Sequence, residues 1–517
     1  MTTAAEMTAA VTRTCHGEAP RVVIVGSGFG GFAAARVLAD RPRKRTGVHV
    51  TLVDQHNHHV FTPFLYQVAT ALLEPSGAAR PVRALIGGLP NVEFRLAQVT
   101  GINFRLHRLE SDRGPIGYDY LILAAGAVND CQAGVAAHSF GLGDLGAAAV
   151  LRNHILSCFE AATWATDPAE QARQLTFVVA GGGPSGVEFA AALSVLVAEK
   201  ARWDYPTISG LEPSIILIEG AQTLLPSFTS DLQDKAARTL RTKGVRVETG
   251  VPVIDADADG LALEDGRRIE TATLVWAAGV RANSLAACLP ATGSRGRIIV
   301  GPTLQVDRHP EVFVVGDIAE IPGQAGALPM LAQVALQSGR HAARSVLALS
   351  KGRTATTFRY RDFGTMLVFG RGDAVVQIGR VHLSGLSGGL AWLGIHLAQP
   401  TGLRIKASVL LNGVSGVVFA NRPARLIIAP TPPDAPEPKS HRPGPTSVPP
   451  VRADLPSVNV ANADRFGRVA ALAWWSQDYP GRRAQTKEDT ADQRRQKRFR
   501  RWRQALTGDK SKTPEDY

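Results

Sequence analysis

Two glycine-rich turns are the residues of this sequence whose types and spacing are best suited to chemistry. They are Gly26-Ser-Gly28-Phe-Gly-Gly31 and Gly181-Gly-Gly183-Pro-Ser-Gly186. The first glycine of such a turn permits a tight bend, the second lets the backbone approach a pyrophosphate, and the third lets the helix pack on its strand. N–H groups at the helix N-terminus then bind the phosphate oxygens. Each turn therefore predicts a dinucleotide site.

An acidic residue ends the predicted strand that follows each turn. Asp54 ends the strand over 48–53, and Glu219 ends the strand over 214–218. A carboxylate at this place accepts hydrogen bonds from the adenosine ribose, and Glu219 favours the free 2′-hydroxyl of NADH over the 2′-phosphate of NADPH. The two units lie about 155 residues apart. The sequence thus predicts an α/β chain with two Rossmann-like domains.

Three further strands end at residues that point to the same sites. Tyr120–Gly126 and Thr273–Gly279 are similar apolar runs that end in glycine, one for each nucleotide domain. A later apolar strand ends in Gly316-Asp317. We expect this carboxylate and backbone N–H to lie near the ribityl chain and phosphate of a flavin, and the alternative for Asp317 is a capping acid before a helix.

Two dinucleotides in one chain imply an electron path. One cofactor must be a tightly held redox group, and the other must be a hydride donor that diffuses in and out. A flavin meets the first need because it accepts a hydride and passes on electrons singly or in pairs. We therefore assign tightly bound, non-covalent FAD to the first turn and NADH, as substrate, to the second.

Composition excludes several other classes of protein. The chain has 517 residues, which predicts two or three domains, and its four cysteines are far apart with no CxxC pair. This excludes a disulfide scaffold, a zinc ribbon and a dithiol redox enzyme. The sequence has no run of 18 apolar residues, so we predict no transmembrane helix, and we predict no secretory signal because its first residues lack a basic start followed by an apolar run. His56, His58 and His59 have no clustered acidic or thiol ligands, so we predict no metal site.

The two glycine turns and the Val-Gly-Asp317 segment together resemble the two-dinucleotide-binding-domain flavoproteins, and three segments resemble the type II NADH dehydrogenases among them. Residues 57–69 (NHHVFTPFLYQVA) resemble the family segment beside the isoalloxazine, and 181–188 (GGGPSGVE) resemble its NADH loop. Ala332-Gln333-Val-Ala-Leu-Gln337 matches its AQxAxQ quinone-site motif. The resemblance covers roughly residues 20–428. The related sulfide:quinone oxidoreductases need redox cysteines beside the flavin, and this chain has no plausible pair.

The resemblance implies a non-proton-pumping NADH:quinone oxidoreductase with one FAD. Gln333 and Gln337 would line the quinone site from one helix face, and Glu188 would lie near the flavin at the nicotinamide site. The alternatives are an exposed polar stripe for the two glutamines and a first-turn acid that favours the helix dipole for Glu188. No residue need act as a nucleophile. Ala125 stands where the family usually has threonine, so one backbone-shaping hydrogen bond is expected to be absent.

The predicted organisation follows from these motifs and from local composition. The segments are a disordered arm (1–19), the first part of the FAD domain (20–140), the NADH domain (141–290), the second part of the FAD domain (291–354), a membrane-association or dimerisation region (355–429), a Pro-rich linker (430–465) and a basic tail (466–517). Short strands are predicted at 358–368 and 374–378. Amphipathic helices over 383–428 would place Arg404, Lys406, Arg422 and Arg425 near anionic head groups. The alternative is that this segment forms a homodimer interface.

Charge and location depend on the end of the chain. The net charge is +12, of which +6 (17 Lys and Arg, 11 Asp and Glu) lies in 431–517. Residues 494–503 carry seven basic groups. A solvated tail is the favoured interpretation, followed by membrane contact, and then by nucleic acid. The resemblance places the protein peripherally on the cytoplasmic side of a bacterial inner membrane, with menaquinone or ubiquinone as the acceptor.

Two other functions keep the same nucleotide sites. In one, oxygen or a small redox protein replaces the quinone as acceptor. In the other, the chain is an NADH-binding redox sensor or interaction protein with little turnover. The sequence does not separate these from quinone reduction without the resemblance.

Overall fold

The computed structural model describes most of the predicted nucleotide-binding body. The described residues are 19–41, 45–205, 213–289, 291–324, 326–370, 373–379, 381–385, 387–389, 394 and 426–428. They lie in one compact unit. The predicted arm except residue 19, the Pro-rich linker, the basic tail and the four basic residues of 404–425 lie outside them.

The strands of the three sheets that matter here are numbered in chain order. They are β1 (Arg21–Val25), β2 (His49–Asp54), β3 (Val92–Leu96), β4 (Tyr120–Leu123), β5 (Phe140–Gly141), β6 (Thr176–Ala180), β7 (Ser214–Glu219), β8 (Val245–Thr249), β9 (Thr273–Trp276), β10 (Gln305–Val306), β11 (His309–Val314), β12 (Thr365–Gly370), β13 (Asp373–Ile378) and β14 (Val381–Gly385). The remaining described strands are short and form separate sheets of two or three strands.

The α-helices are numbered in the same way. They are α1 (Phe29–Leu38), α2 (Leu65–Ala69), α3 (Pro75–Ala78), α4 (Val82–Ile86), α5 (Ala133–Ala137), α6 (Leu145–Trp164), α7 (Pro168–Gln174), α8 (Pro184–Trp203), α9 (Ser230–Thr242) and α10 (Ala332–Leu349). No helix among the described residues is long and apolar enough to cross a bilayer.

Two largely parallel sheets form the body. The first has the order β10-β11-β4-β1-β2-β3, and only the β10–β11 pair is antiparallel. The second has the order β5-β9-β6-β7-β8 and is parallel throughout. Continuous apolar runs such as Val22–Val25 and Phe177–Ala180 are buried, as expected for parallel strands covered on both faces. The prediction of two Rossmann-like units is confirmed.

The helices after the two turns are longer than predicted. Apolar spacing predicts the first from Phe32, but α1 begins at Phe29 because Gly28 is its N-cap. The second is predicted to end at Val197, yet α8 continues to Trp203. Residues 198–202 are Ala-Glu-Lys-Ala-Arg, which all favour a helix, so the helix continues through them.

The chain passes between the two cores more often than the predicted boundaries suggest. Phe64–Ala78 contributes side chains to the second core, with α6 and α8. Leu285 and Leu289 belong to the first core, although the predicted NADH domain extends to 290. The strands Ala127–Asn129 and Val280–Ala282, which follow the two return strands, pair antiparallel. Both connections between the units therefore run side by side.

The region after α10 differs from its prediction at its beginning. A strand is predicted from 358, but β12 begins at Thr365. The backbone of 358–364 is bonded elsewhere: the Phe358 N–H donates to the Pro302 carbonyl, and residues 361–364 bond side chains of α10. These groups are therefore not available to a strand partner. Residues 381–385, at the start of the predicted amphipathic segment, form strand β14, and most of the rest of that segment lies outside the described residues.

Candidate active site

The first glycine turn lies at the carboxyl edge of the first sheet, between β1 and α1. Gly26 has a φ of +97°, and a Cβ there would collide with the Ala124 carbonyl. A Cβ at Gly31 would collide with the Gly26 carbonyl oxygen. By contrast, a Cβ at Gly28 would meet no protein atom within 4 Å. Two glycines are thus required by the protein itself, and the middle one faces open space at a helix N-terminus.

Asp54 holds the first turn in shape. Its Oδ2 accepts hydrogen bonds from the Ser27 backbone N–H (2.6 Å) and hydroxyl (2.7 Å). Its Oδ1 accepts one from the His56 N–H (2.8 Å). One lone pair of Oδ1 remains for a ribose hydroxyl. The predicted ribose ligand therefore also positions the loop, and Ser27, which was not predicted, is its partner.

Asp317 supplies an acceptor that the protein leaves unused. It lies in a short 3₁₀ turn, Gly316–Ile318, after β11, and the Gly316 N–H donates to the Ser338 hydroxyl of α10. The Asp317 Oδ1 is buried without a hydrogen-bond partner among the described residues. Burial raises the pKa of Asp317 to about 6, against the effect of Arg297. A buried oxygen without a hydrogen-bond donor is energetically costly, and a ribityl hydroxyl would supply the missing donor. Together with the open space at Gly28, Asp317 therefore fits a bound FAD.

The second turn repeats the first between β6 and α8. Gly181 has a φ of +115°, and a Cβ at Gly186 would collide with its carbonyl oxygen. A Cβ at Gly183 would meet no protein atom within 4 Å. Each turn begins with the same bond, from its first glycine N–H to the penultimate carbonyl of the next strand (Gly26 to Val53, 2.8 Å; Gly181 to Ile218, 2.7 Å). The two sites thus share one local geometry.

Glu219 has the same place as Asp54 in the second unit. Its Oε2 accepts from the Gly182 N–H (2.5 Å), and its Oε1 accepts from the Ala221 N–H (2.8 Å). No basic side chain forms an ion pair with it in the part of the chain that the structure describes. Gly126 and Gly279, which end the two return strands, both have positive φ and no protein atom within 4 Å of a Cβ position. Both sites are therefore open on this side as well.

Glu188 lies on α8 beside Tyr66 of α2 and the small sheet. Its Oε1 accepts a hydrogen bond from the Val368 N–H (3.1 Å) of β12. Burial raises the pKa of Glu188 to about 8, and the hydrogen bond from Val368 opposes this shift. Burial and the charge of Glu188 also raise the pKa of Tyr66. The Glu188 carboxyl is therefore protonated at neutral pH. A role that depends only on the helix dipole would require an ionised carboxylate at this position.

Gln333 and Gln337 lie one turn apart on α10, as predicted, but both amides bond the backbone of 361–364. The Gln337 Nε2 donates to the Arg361 carbonyl (2.8 Å), and its Oε1 accepts from the Arg361 N–H (3.0 Å). The Gln333 Nε2 donates to the Gly364 carbonyl (3.2 Å) and the Asp362 carboxylate (3.3 Å). Both N–H bonds of Gln333 are therefore used, and Gln337 keeps one free. They are not an exposed polar stripe.

A groove of about 560 Å³ runs beside these glutamines. We call it the α1–α10 groove, because its walls come from these two helices and from the segments around Phe61 and Arg80. Its inner end is aromatic, with Phe29, Phe61 and Phe64 in edge-to-face contacts, and Gln333 and Gln337 border it. Phe29 follows Gly28 directly. The groove therefore begins beside the first nucleotide site.

His59 separates the groove from the first turn. Its Nδ1 is 2.7 Å from the Ser27 carbonyl oxygen, and its ring contacts Phe29 and Phe32. Burial lowers the pKa of His59, which favours the neutral ring. Among the described residues no cluster of three or more His, Cys, Asp or Glu side chains is placed to hold a metal ion.

The described cysteines form no redox pair. Cys131, Cys158 and Cys288 are free thiols, and Cys15 lies outside the described residues. Burial raises the pKa of Cys158 and of Cys131, which disfavours the reactive thiolate. Dithiol chemistry has no pair of residues to carry it in the described part of the chain.

Comparison with known proteins agrees with this geometry. Residues 20–339 match the family described as pyridine nucleotide-disulphide oxidoreductase. The type II NADH:quinone oxidoreductase Ndh of Mycobacterium tuberculosis is 37% identical over 414 residues, covering 76% of this chain and 87% of that protein. The type II NADH:quinone oxidoreductase of Staphylococcus haemolyticus is 28% identical over 362 residues, which cover 69% of this chain and 89% of the Staphylococcus protein.

Solved structures show the same fold. NDH2 from Plasmodium falciparum in complex with NADH superposes with a TM-score of 0.72 at 18% identity, covering 80% of this chain and all of that one. The predicted family is thus confirmed by sequence, and the predicted fold by structure. This chain belongs to the pyridine nucleotide-disulphide oxidoreductase family and, within it, to the type II NADH:quinone oxidoreductases.

Proposed function

We propose that this protein catalyses NADH + H⁺ + quinone → NAD⁺ + quinol with one bound FAD. FAD held at the first glycine turn would supply the hydride acceptor and the two-electron donor for the quinone. The observation that carries the proposal is the pair of open cradles, at Gly28 and Gly183, in one chain whose α1–α10 groove begins beside the first of them. One cradle holds the resident cofactor, and the other admits the diffusing donor.

The nucleotide sites use backbone groups more than side chains. The N-terminus of α1 would hold the FAD pyrophosphate, and the Asp317 Oδ1, which has no partner among the described residues, would accept a hydrogen bond from a ribityl hydroxyl. The N-terminus of α8 faces the NADH pyrophosphate, and Glu219 faces the adenosine ribose. Because the Glu219 carboxylate carries negative charge, it disfavours the 2′-phosphate of NADPH. These roles favour NADH as the donor.

Glu188 holds a proton close to the reacting groups. Its Oε1 accepts the Val368 N–H, so the proton is placed on Oε2. The reaction consumes one proton from solution, and a neutral carboxyl in a poorly hydrated place can supply it in one step. Ionisation above the raised pKa of about 8 removes this proton from the site.

We expect Glu188→Gln to remove the pH dependence of quinone reduction. In the wild type, the rate should fall as pH rises through about 8, by about tenfold per unit once the carboxyl is ionised. The glutamine cannot ionise or deliver a proton, so its rate should be flat with pH and about 100-fold lower near neutrality. Steady-state turnover across this range, with flavin content measured in parallel, checks the prediction.

The stability of the same variant provides an independent control. The folded-state pKa of Glu188 is raised, so its contribution to stability is full at low pH and is lost as pH rises through about 8. The glutamine variant should therefore gain in Tm relative to the wild type as pH rises from about 4.5 to about 8, with no further relative gain at higher pH. Parallel Tm curves for the two proteins would contradict a raised pKa at this carboxyl.

The two glutamines have different roles in the proposal. Gln333 is a positioning residue, because both its N–H bonds hold residues 362 and 364. Gln337 holds Arg361 and keeps one N–H for a quinone oxygen. An uncharged donor is suited to an apolar groove, where burial of a charge is expensive.

Gln337→Ala should slow reoxidation of the reduced flavin by a quinone by about tenfold, as expected for one lost hydrogen bond and a loosened segment. Reduction of the flavin by NADH should be unchanged. Gln171→Ala is the matched control, because Gln171 also bonds two backbone carbonyls (Ala162 and Ala165) but lies on α7. Stopped-flow measurement of the two half-reactions separates them. An equal loss in both half-reactions would contradict the quinone role of Gln337.

One stopped-flow experiment tests the function as a whole. The holoenzyme is reduced with NADH without oxygen and is then mixed with a quinone, with oxygen or with a small redox protein. Fast reoxidation by the quinone alone supports the proposal. Faster reoxidation by oxygen or the redox protein would favour the oxidase or reductase alternative, and slow reoxidation by all three would favour a sensor.

The substrate also indicates where the protein works. Membrane quinones are lipid-soluble, so the proposal places the protein peripherally at a membrane surface, on the cytoplasmic side where NADH is produced. A homodimer through 355–429 stays a proposal, as does the division of the chain at the predicted boundaries. Cross-linking of the full chain in detergent tests the dimer.

A further inference from the structure

We propose that the outer end of the α1–α10 groove binds the phosphate head group of an anionic phospholipid, with the first part of an acyl chain against the apolar walls at that end and the aromatic end left to the quinone. This inference rests on the proposed function, since it gives the groove a lipid-facing entrance for the quinone. Four arginines carry it: Arg36, Arg41, Arg340 and Arg344. We call them the arginine rim.

The rim follows from how closely α1 and α10 pack. A Cβ at Gly339 would collide with the Gly30 carbonyl oxygen, so the two backbones touch at this point. Arg340 and Arg344 lie one turn apart on α10 and share a face. Arg36 lies in the last turn of α1, and Arg41 lies just beyond its end. All four are exposed and line one groove.

Among the described residues the rim arginines have no carboxylate partner, whereas many other arginines have one. Ion pairs elsewhere include Arg21–Asp119, Arg95–Glu93, Arg108–Glu110, Arg173–Glu170, Arg267–Glu248 and Arg268–Asp257. In the described part of the chain, no carboxylate forms an ion pair with any of the four rim arginines, and no Asp or Glu lines the groove. The rim is therefore a concentration of positive charge that an anion can neutralise.

The walls of the groove select a lipid over a free anion. Phe32, Val37, Leu85 and Leu336 line the same groove as the arginines. Inorganic phosphate makes no use of such walls, whereas an acyl chain gains by burying its CH₂ groups against them. A neutral quinone makes no use of the arginines. A phosphate diester with an acyl chain uses both parts.

The basic tail does not complement this surface. Residues 431–517 carry a net charge of +6, so they repel a basic rim. Binding of a second copy of the chain through its own arginine rim is disfavoured as well, because the two positively charged rims would repel each other. Anionic lipid is the occupant whose charge and apolar part both match.

Vesicle binding by the full-length holoenzyme tests the proposal. Wild type and Arg340→Gln/Arg344→Gln are compared on vesicles of phosphatidylcholine alone and of phosphatidylcholine with phosphatidylglycerol. Each basic residue at an anionic surface adds about fivefold to partitioning, so the double variant should bind phosphatidylglycerol vesicles at least about tenfold more weakly. Binding to phosphatidylcholine alone should not change.

Arg238→Gln/Arg241→Gln on α9 is the matched control. These two arginines are also exposed on a helix, and their loss changes net charge by the same amount. We expect this control to keep at least half of the wild-type binding. Equal binding by the rim variant and wild type, or equal losses in the rim variant and the control, would overturn the proposal.

Two further readouts assign the ligand and separate this proposal from the reaction. Inorganic phosphate at constant ionic strength should change the Tm of the wild type and of the rim variant equally. A larger effect on the wild type would mean that the rim binds a free anion and not a lipid. Flavin reduction by NADH should be the same in the rim variant and wild type. Failure of the wild type to reduce any quinone would overturn the proposed function, while a rim-dependent vesicle binding would stand.

Discussion

Gly28→Val is expected to give a folded protein that purifies without flavin. The new side chain meets no protein atom near its Cβ, so it occupies the space in which the α1 N-terminus faces the pyrophosphate. Loss of two charge-assisted hydrogen bonds, at about 1.5–3 kcal/mol each, weakens FAD binding by at least about 100-fold. The ratio of flavin to protein absorbance after purification measures the effect, and circular dichroism confirms the fold.

Gly88→Val is the matched control for this substitution. Gly88 is also exposed, also has no atom within 4 Å of its Cβ position, and lies away from both turns. It should keep a full complement of flavin. Gly31→Val is the opposite case, because its Cβ would collide with the Gly26 carbonyl oxygen and destabilise the protein itself. Normal flavin content in folded Gly28→Val would mean that the cofactor does not lie at this turn.

Gly183→Val should separate the donor site from the cofactor site. Its Cβ also meets no protein atom within 4 Å, so the fold and the flavin content should be those of the wild type. The side chain occupies the place of the NADH pyrophosphate, and kcat/KM for NADH should fall by at least about 100-fold, by the same loss of charge-assisted hydrogen bonds. Anaerobic titration with NADH, followed in the flavin spectrum, measures it.

Chemical reduction is the control for the Gly183 variant. Dithionite needs no nucleotide site, so it should reduce the flavin of the variant and of the wild type to the same extent. Reoxidation by a quinone should then proceed at the wild-type rate. Loss of flavin from Gly183→Val, or unchanged reduction by NADH, would contradict the assignment of the two cradles to different cofactors.

The nucleotide sites were predictable because their chemistry is local. A turn such as Gly26–Gly31 works through its own backbone, and the acid that completes it lies at the end of the next strand. Short-range pattern therefore locates Gly28, Gly183, Asp54 and Glu219. The structure adds what these acids bond: Asp54 fixes Ser27, and Glu219 fixes Gly182. The residue pattern of the sequence does not predict these hydrogen-bond partners.

The exit side of the reaction was less predictable because its contacts are long-range. The AQxAxQ resemblance locates Gln333 and Gln337, but their bonds to Arg361 and Gly364 depend on how the chain returns after α10. The same return ends at β12, where Val368 bonds Glu188 across 180 residues. The strand predicted over 358–368 begins only at Thr365, because side chains of α10 bind the backbone of 361–364.

The sequence by itself determined the two Rossmann-like units, their order and the positions of their glycine turns and strand-end acids, because each of these features lies within one β-turn-α-β segment. Tertiary structure alone decided the protonation of Glu188, the use of the two amides and the arginine rim. A pKa depends on the atoms packed around the group, and a groove depends on how closely two helices approach. Arg36 and Arg340 lie 304 residues apart in the chain and line one groove only because Gly30 and Gly339 let α1 and α10 touch.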